Sequence, residues 1–114
     1  MPATVPAFTP WTRALGRYRG AEADLAAFRA WERSLPPERR AFPACEPLEE
    51  RFNDLESARL DALRSLLRLP APDLPAFALK IALTVDNQAW ELTAAQPCLA
   101  ALKADARRLC RRVH

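Results

Sequence analysis

The feature that most constrains the fold is an apolar run, Leu74 to Val85. Lys80 is its only charged residue, and Asp73 stands just before it as a natural helix cap. The run predicts a helix that is apolar nearly all the way round, and such a helix needs neighbours on most sides. We therefore predict a central apolar helix over about 73–87, covered by the other helices.

The composition favours helices around this run. Hydrophobic residues make up 50% of the chain and charged residues 27%, which is typical of a globular protein. Alanine, leucine and arginine are abundant, while the chain has two glycines and few β-branched residues. We predict an all-α fold, a compact bundle of about four helices that forms one domain over 1–114.

Proline and capping residues divide the chain. Residues 1–8 read as an extended N-terminal lead, and Thr9 followed by Pro10 predicts a helix start. Residues 36–46 form a proline-rich connection with room for a single helical turn. The first three predicted helices cover about 10–34, 47–69 and 73–87. The fourth runs to the C-terminus from a start near 93–97, where either a capping box at 93–96 or Pro97 marks its first turn.

The spacing of apolar residues identifies a candidate core. Gly20 lies in a gap of the apolar spacing in the first helix, where it predicts a bend or a close helix crossing. The predicted core residues are Leu15, Leu25, Phe28, Leu55, Leu63, Phe77, Ile81, Leu102 and Leu109.

Residues suited to catalysis are scarce. The one histidine, His114, is the last residue, and a chain terminus is a poor place for a general base. Cys98 near a helix N-terminus is either a reactive thiolate or a small buried hydrophobe, and we favour the latter. For Lys80 we favour a stem lying along apolar surface with its ammonium in water over a buried catalytic amine. We predict no catalytic, cofactor-binding or metal-binding residue and no enzymatic activity.

Basic residues form stripes on two predicted helices. They are candidates for binding phosphates or an acidic protein surface, although cations also suit a helix C-terminus for dipole reasons. Trp31 lies between Arg29 and Arg33 and, if exposed, resembles an interface hot spot, while a place at the core edge is favoured. The candidate partner-binding residues are Lys103, Arg107, Arg108, Arg111, Arg112, Arg13, Arg17 and Trp31.

Charge and cysteine content bear on the surroundings of the protein. The net charge is +3, which is mildly basic. The three cysteines are an odd, sparse set that suits a reducing cytoplasm. The N-terminus lacks the pattern of a signal peptide, and no apolar run approaches the roughly 20 residues of a membrane span. We expect a cytoplasmic protein that does not enter a membrane.

Residues 69–92 contain the pattern LPAPDL, then Lys80, then Trp90-Glu91-Leu92. This segment resembles short uncharacterised helical proteins of GC-rich bacteria, in which LPAPDL joins two helices and WEL follows the second. The resemblance covers about a fifth of the chain. It implies a small bacterial protein, associated with a mobile element, and it implies no activity.

The leading hypothesis is a non-enzymatic protein–protein interaction module: a small regulator, an inhibitor, for example of a host or defence-system protein, or an accessory subunit. Its partner is another protein, or a second copy if the apolar helix is not fully covered. The alternative is a nucleic-acid-binding protein that uses the basic stripes of the C-terminal helix. No cofactor is expected.

Overall fold

The computed structural model describes residues 9–113, with side chains described for 9–111. The predicted N-terminal lead over 1–8, His114 and the side chain of Arg112 lie outside the described residues. Within 9–113 the chain is helical and contains no strand. Its elements are α1 (Pro10–Arg33), α2 (Pro37–Arg40), α3 (Glu46–Arg68), α4 (Leu74–Asp86), a 3₁₀ turn (Ala89–Glu91) and α5 (Ala95–Val113).

The structure confirms the all-α fold and the bundle of about four helices. The predicted starts of α1 and α4 are also confirmed. The Thr9 hydroxyl accepts a hydrogen bond from the backbone N–H of Thr12 at 3.1 Å. The Asp73 carboxylate accepts one from the N–H of Ala76 at 2.9 Å. Both side chains satisfy donors that a helix leaves unpaired in its first turn.

The proline-rich connection forms the single turn α2, as its sequence allowed. The bend or close crossing predicted at Gly20 is wrong. Helix α1 runs without interruption from Pro10 to Arg33, and a Cβ at Gly20 would meet nothing within 4 Å. The gap in apolar spacing there reflects an exposed face of α1.

The two long helices, α1 and α3, form an antiparallel hairpin. Trp11 and Tyr18 near the start of α1 belong to the same core cluster as Leu63 and Leu66 near the end of α3. Leu63 and Leu66 are completely buried. The interior of the molecule is therefore centred on the second half of α3.

Helix α3, not α4, occupies the middle of the fold, because α1 and α5 both pack against it. This corrects the predicted central position of the apolar run. The Cα atoms span 61 × 38 × 16 Å, so the bundle is flat. In a flat bundle, the apolar helix α4 is covered on one side only.

The candidate core is reproduced in part. Leu55, Leu63 and Leu109 are buried, while Leu15, Leu25, Phe28, Phe77 and Leu102 are half-buried. Ile81 was predicted in the core, and this prediction is wrong because its side chain is 42% exposed on the outer side of α4.

Truncation of Leu66 to alanine removes a fully buried side chain from the centre of the fold. We expect Leu66→Ala to lower the free energy of unfolding by about 2–5 kcal/mol. Urea denaturation followed by circular dichroism measures the change. The matched control is Leu74→Ala, whose side chain is 53% exposed, so an equal loss in both variants would contradict the assigned core.

Candidate functional site

A buried ion pair joins α4 to α5. The Lys80 ammonium lies 2.5 Å from Oδ2 of Asp105, and the two residues are 0% and 1% exposed. The same ammonium donates a hydrogen bond to the carbonyl of Leu69 at 2.7 Å. The prediction that Lys80 reaches water is therefore wrong, because its charge is balanced inside the protein.

Asp105 also organises the connection between α3 and α4. Its Oδ1 accepts a hydrogen bond from the backbone N–H of Ala71 at 2.9 Å. The Arg108 guanidinium lies 3.2 Å from that oxygen and donates a second hydrogen bond to the Ala71 carbonyl. One carboxylate thus binds a lysine, an arginine and a backbone amide, which compensates the cost of burying charge.

The polar groups of this cluster are satisfied within the protein. Every buried side-chain nitrogen or oxygen in the described part of the chain has a hydrogen-bond partner. The cluster faces the joint at Leu69–Ala71 and holds α4 in place. Among the described residues, no group of three or more histidine, cysteine or acidic side chains is arranged to hold a metal ion.

The cysteines are free thiols in different surroundings. Cys98 is buried against α3, and its thiol lies 3.8 Å from the Arg64 carbonyl. Burial raises the pKa of the Cys98 thiol, although the positive charges of Arg68, Lys80 and Arg64 oppose the shift. A raised pKa lowers the fraction of thiolate, which is the nucleophilic form, and so disfavours a reactive Cys98.

The outward side of α4 carries an uncharged stripe, which we call the α4 stripe. Its members lie at i, i+4, i+7 and i+11, so they share one side of the helix. Leu74 is 53% exposed, Ile81 is 42% exposed and Val85 is 57% exposed. A different side of α4 faces inward and holds Lys80 and Thr84, both buried. The stripe consists of Leu74, Ala78, Ile81 and Val85.

The outward side of α5 carries a second stripe, which we call the α5 stripe: Lys103, Arg107 and Arg111. All three side chains are exposed, on the side of the helix away from buried Asp105 and Leu109. This is the longer of the basic stripes predicted from the sequence.

Other candidate residues lie elsewhere. Arg108 binds Asp105 and Ala71, so the structure directs its guanidinium inward. Arg13 and Arg17 are exposed on α1. Among the described residues, α1 and α5 each pack on α3 and make no extensive contact with each other.

Trp31 lies near the end of α1 and is 47% exposed, with its ring 5.8 Å from that of Phe28. The structure therefore shows Trp31 in the exposed position, and the favoured prediction of a place at the core edge is wrong. No helix within residues 9–113 is both long and apolar enough to cross a membrane.

Sequence reasoning missed Asp105, although a signal was present. Asp105 lies three residues after Leu102 and four before Leu109, so it interrupts an apolar stripe as Lys80 interrupts the apolar run. Two opposite charges, each set in an apolar helix face, indicate a buried pair between the two helices.

Because Asp105 binds three groups and Lys80 binds two, we expect substitutions of the two residues to differ in their effect on stability. We expect Asp105→Asn to lower the free energy of unfolding by about 3–5 kcal/mol, because it leaves a buried ammonium unpaired. Lys80→Met should lower the free energy of unfolding by at least about 1 kcal/mol less than Asp105→Asn does, because Arg108 and the Ala71 amide still bind the carboxylate. Urea denaturation measures both, and Asp54→Asn on the exposed side of α3 is the control. Equal losses for the two core variants would contradict the role assigned to Arg108.

Because Cys98 is buried, we expect its thiol to react slowly with added reagents. We compare two single-cysteine proteins: Cys45→Ser/Cys110→Ser, which keeps Cys98, and Cys45→Ser/Cys98→Ala, which keeps the exposed Cys110. With an aromatic disulfide reagent at pH 8, Cys98 should react about tenfold or more slowly than Cys110. In denaturing urea the two rates should converge. A Cys98 that reacts as fast as Cys110 in the folded protein would support a reactive thiol.

Comparison with known protein families, with curated proteins and with solved structures finds no match to this chain. The resemblance of residues 69–92 to short bacterial proteins stays a prediction.

Proposed function

We propose that this protein is a non-enzymatic binding module that docks another protein on the α4 stripe. The observation that carries the proposal is the exposure of Leu74, Ile81 and Val85 on one side of a helix. These side chains form a row that contains no charged residue between its two ends. Contiguous apolar surface of this kind marks interaction sites on soluble proteins.

The geometry of the stripe suits a helical partner. Helix α4 has 13 residues, which corresponds to a length of about 20 Å. The small Ala78 lies between the larger side chains of Leu74 and Ile81, which leaves room there for a side chain of a partner. A partner helix with apolar residues at matching intervals packs its side chains into such spaces.

Charge at the two ends of α4 favours a different protein over a second copy. Asp73 and Asp86 flank the stripe, and both are exposed. A two-fold pairing of α4 with its own copy, parallel or antiparallel, brings carboxylates opposite carboxylates. Like charges placed together disfavour an interface, so we assign the stripe to a partner whose apolar ridge is flanked by basic residues.

We also propose that the protein has no enzymatic activity. The lysine in the interior is held by Asp105 and Leu69, and burial disfavours a reactive thiol at Cys98. A regulator, an inhibitor or an accessory subunit each needs only a binding surface. We propose a cytoplasmic setting, which the three free thiols suit.

A photo-crosslinking amino acid at position 81 tests the proposal in cells of the source organism. We expect one predominant crosslinked protein from position 81 and none from the matched exposed position Ala27 on α1. The captured protein, purified, should bind the unmodified chain. Ile81→Gln/Val85→Gln should weaken that binding by about tenfold or more, because both changes place polar groups in an apolar interface.

The control variant is Ala23→Gln/Ala27→Gln, which adds the same polar groups on the exposed side of α1 and should leave binding unchanged. Equal affinity of the two double variants for the captured protein would refute the α4 stripe as the docking surface. Light scattering after size-exclusion chromatography should give a monomer of 12.8 kDa. A dimer that Ile81→Gln/Val85→Gln dissociates would overturn the choice of a different protein as partner.

A further inference from the structure

The α5 stripe is a surface that the proposed protein-binding role does not use. Lys103, Arg107 and Arg111 lie at i, i+4 and i+8, so they form a row along one side of the helix. Successive members are about 6 Å apart along the axis, and the row spans about 12 Å. The buried side of the same helix carries Cys98, Asp105 and Leu109.

No acidic group neutralises this row within its own helix. Asp105 is the one acidic residue of α5 in the sequence, and its carboxylate is buried against Lys80. Among the residues that the structure describes, no ion pair joins Lys103, Arg107 or Arg111 to a carboxylate. The one acidic residue of α5 is therefore buried, whereas the three basic residues of the α5 stripe are exposed.

The side chains around the row decide which kind of anion it suits. The exposed positions beside the cations are Ala100, Ala104 and Cys110. A protein interface needs large apolar or aromatic anchors at its centre, and among the side chains described on this face there are none. A helix that lies on a membrane needs bulky apolar side chains to insert, and the described part of this face lacks those too.

Small residues beside arginines instead allow a helix backbone to come close to a row of phosphates. The major groove of B-form DNA is about 12 Å wide and admits a helix, whereas the major groove of A-form RNA is too narrow. We propose that the α5 stripe binds the phosphate backbone of double-stranded DNA. Contacts from these cations to phosphates carry no sequence information directly, so we expect binding that is independent of sequence.

Fluorescence anisotropy with a labelled 20-base-pair duplex and the full chain tests this inference. We expect binding at 25 mM salt that weakens as salt rises. For three phosphate contacts, the slope of log affinity against log salt should be about −2.7. The triple variant Lys103→Ala/Arg107→Ala/Arg111→Ala should lose about tenfold or more in affinity at 25 mM salt and should show a shallower slope.

The matched control is Arg33→Ala/Arg39→Ala/Arg40→Ala, which removes three exposed arginines at the far end of the α1–α3 hairpin. Both triple variants lower the formal net charge from +3 to 0. The control should lose less than about threefold in affinity, since its cations lie away from the bound strand. Thermal melts by circular dichroism establish that both variants fold.

Four results would overturn the inference. The first two are no binding of the duplex at 25 mM salt and an equal loss of affinity in the two triple variants. The other two are tighter binding to an RNA duplex of the same sequence, and stripe-dependent binding to anionic vesicles with no binding to DNA. The double variant Ile81→Gln/Val85→Gln should bind DNA like the unmodified chain. The DNA-binding inference and the protein-binding proposal therefore succeed or fail separately.

Discussion

The carboxylate of Asp105 holds three segments of the chain together in a place that water does not reach. It pairs with Lys80 of α4, accepts from the amide of Ala71 and lies against Arg108 of its own helix. Apolar contacts act without direction, whereas these bonds require particular atoms at particular distances. The direction in which the chain leaves α3 and the depth at which α4 lies both follow from this cluster.

The buried pair also accounts for the free side of α4. A helix with apolar residues on all sides has several ways to pack, and a single charge on one side removes most of them. Because Lys80 must reach Asp105, the side of α4 that carries Lys80 and Thr84 turns inward. Ile81 and Val85 are then directed outward, even though their side chains are as apolar as those of the core. The exposed stripe is thus a consequence of where the charge lies.

Local features of this fold were predictable from the sequence, and long-range features were not. Thr9 and Asp73 act within one helical turn, so their capping roles follow from spacing alone. Ile81 illustrates the limit, since no local pattern distinguishes it from Phe77, which is half-buried. Its exposure depends on a partner of Lys80 that lies 25 residues away. The exposure of the α5 stripe likewise depends on which side of α5 packs on α3.

Burial in this molecule is uneven along the α1–α3 hairpin. Within residues 19–54, which form the outer part of the α1–α3 hairpin and the turn between the helices, Leu35 is the only buried residue. Among the side chains that the structure describes, all of the other buried positions belong to residues 11–18 and 55–109. Segments with few buried apolar contacts open locally at a lower free energy than the core. We therefore expect the outer arm, which carries Trp31 and Phe42 at its exposed end, to open at a lower free energy than the helices around Asp105.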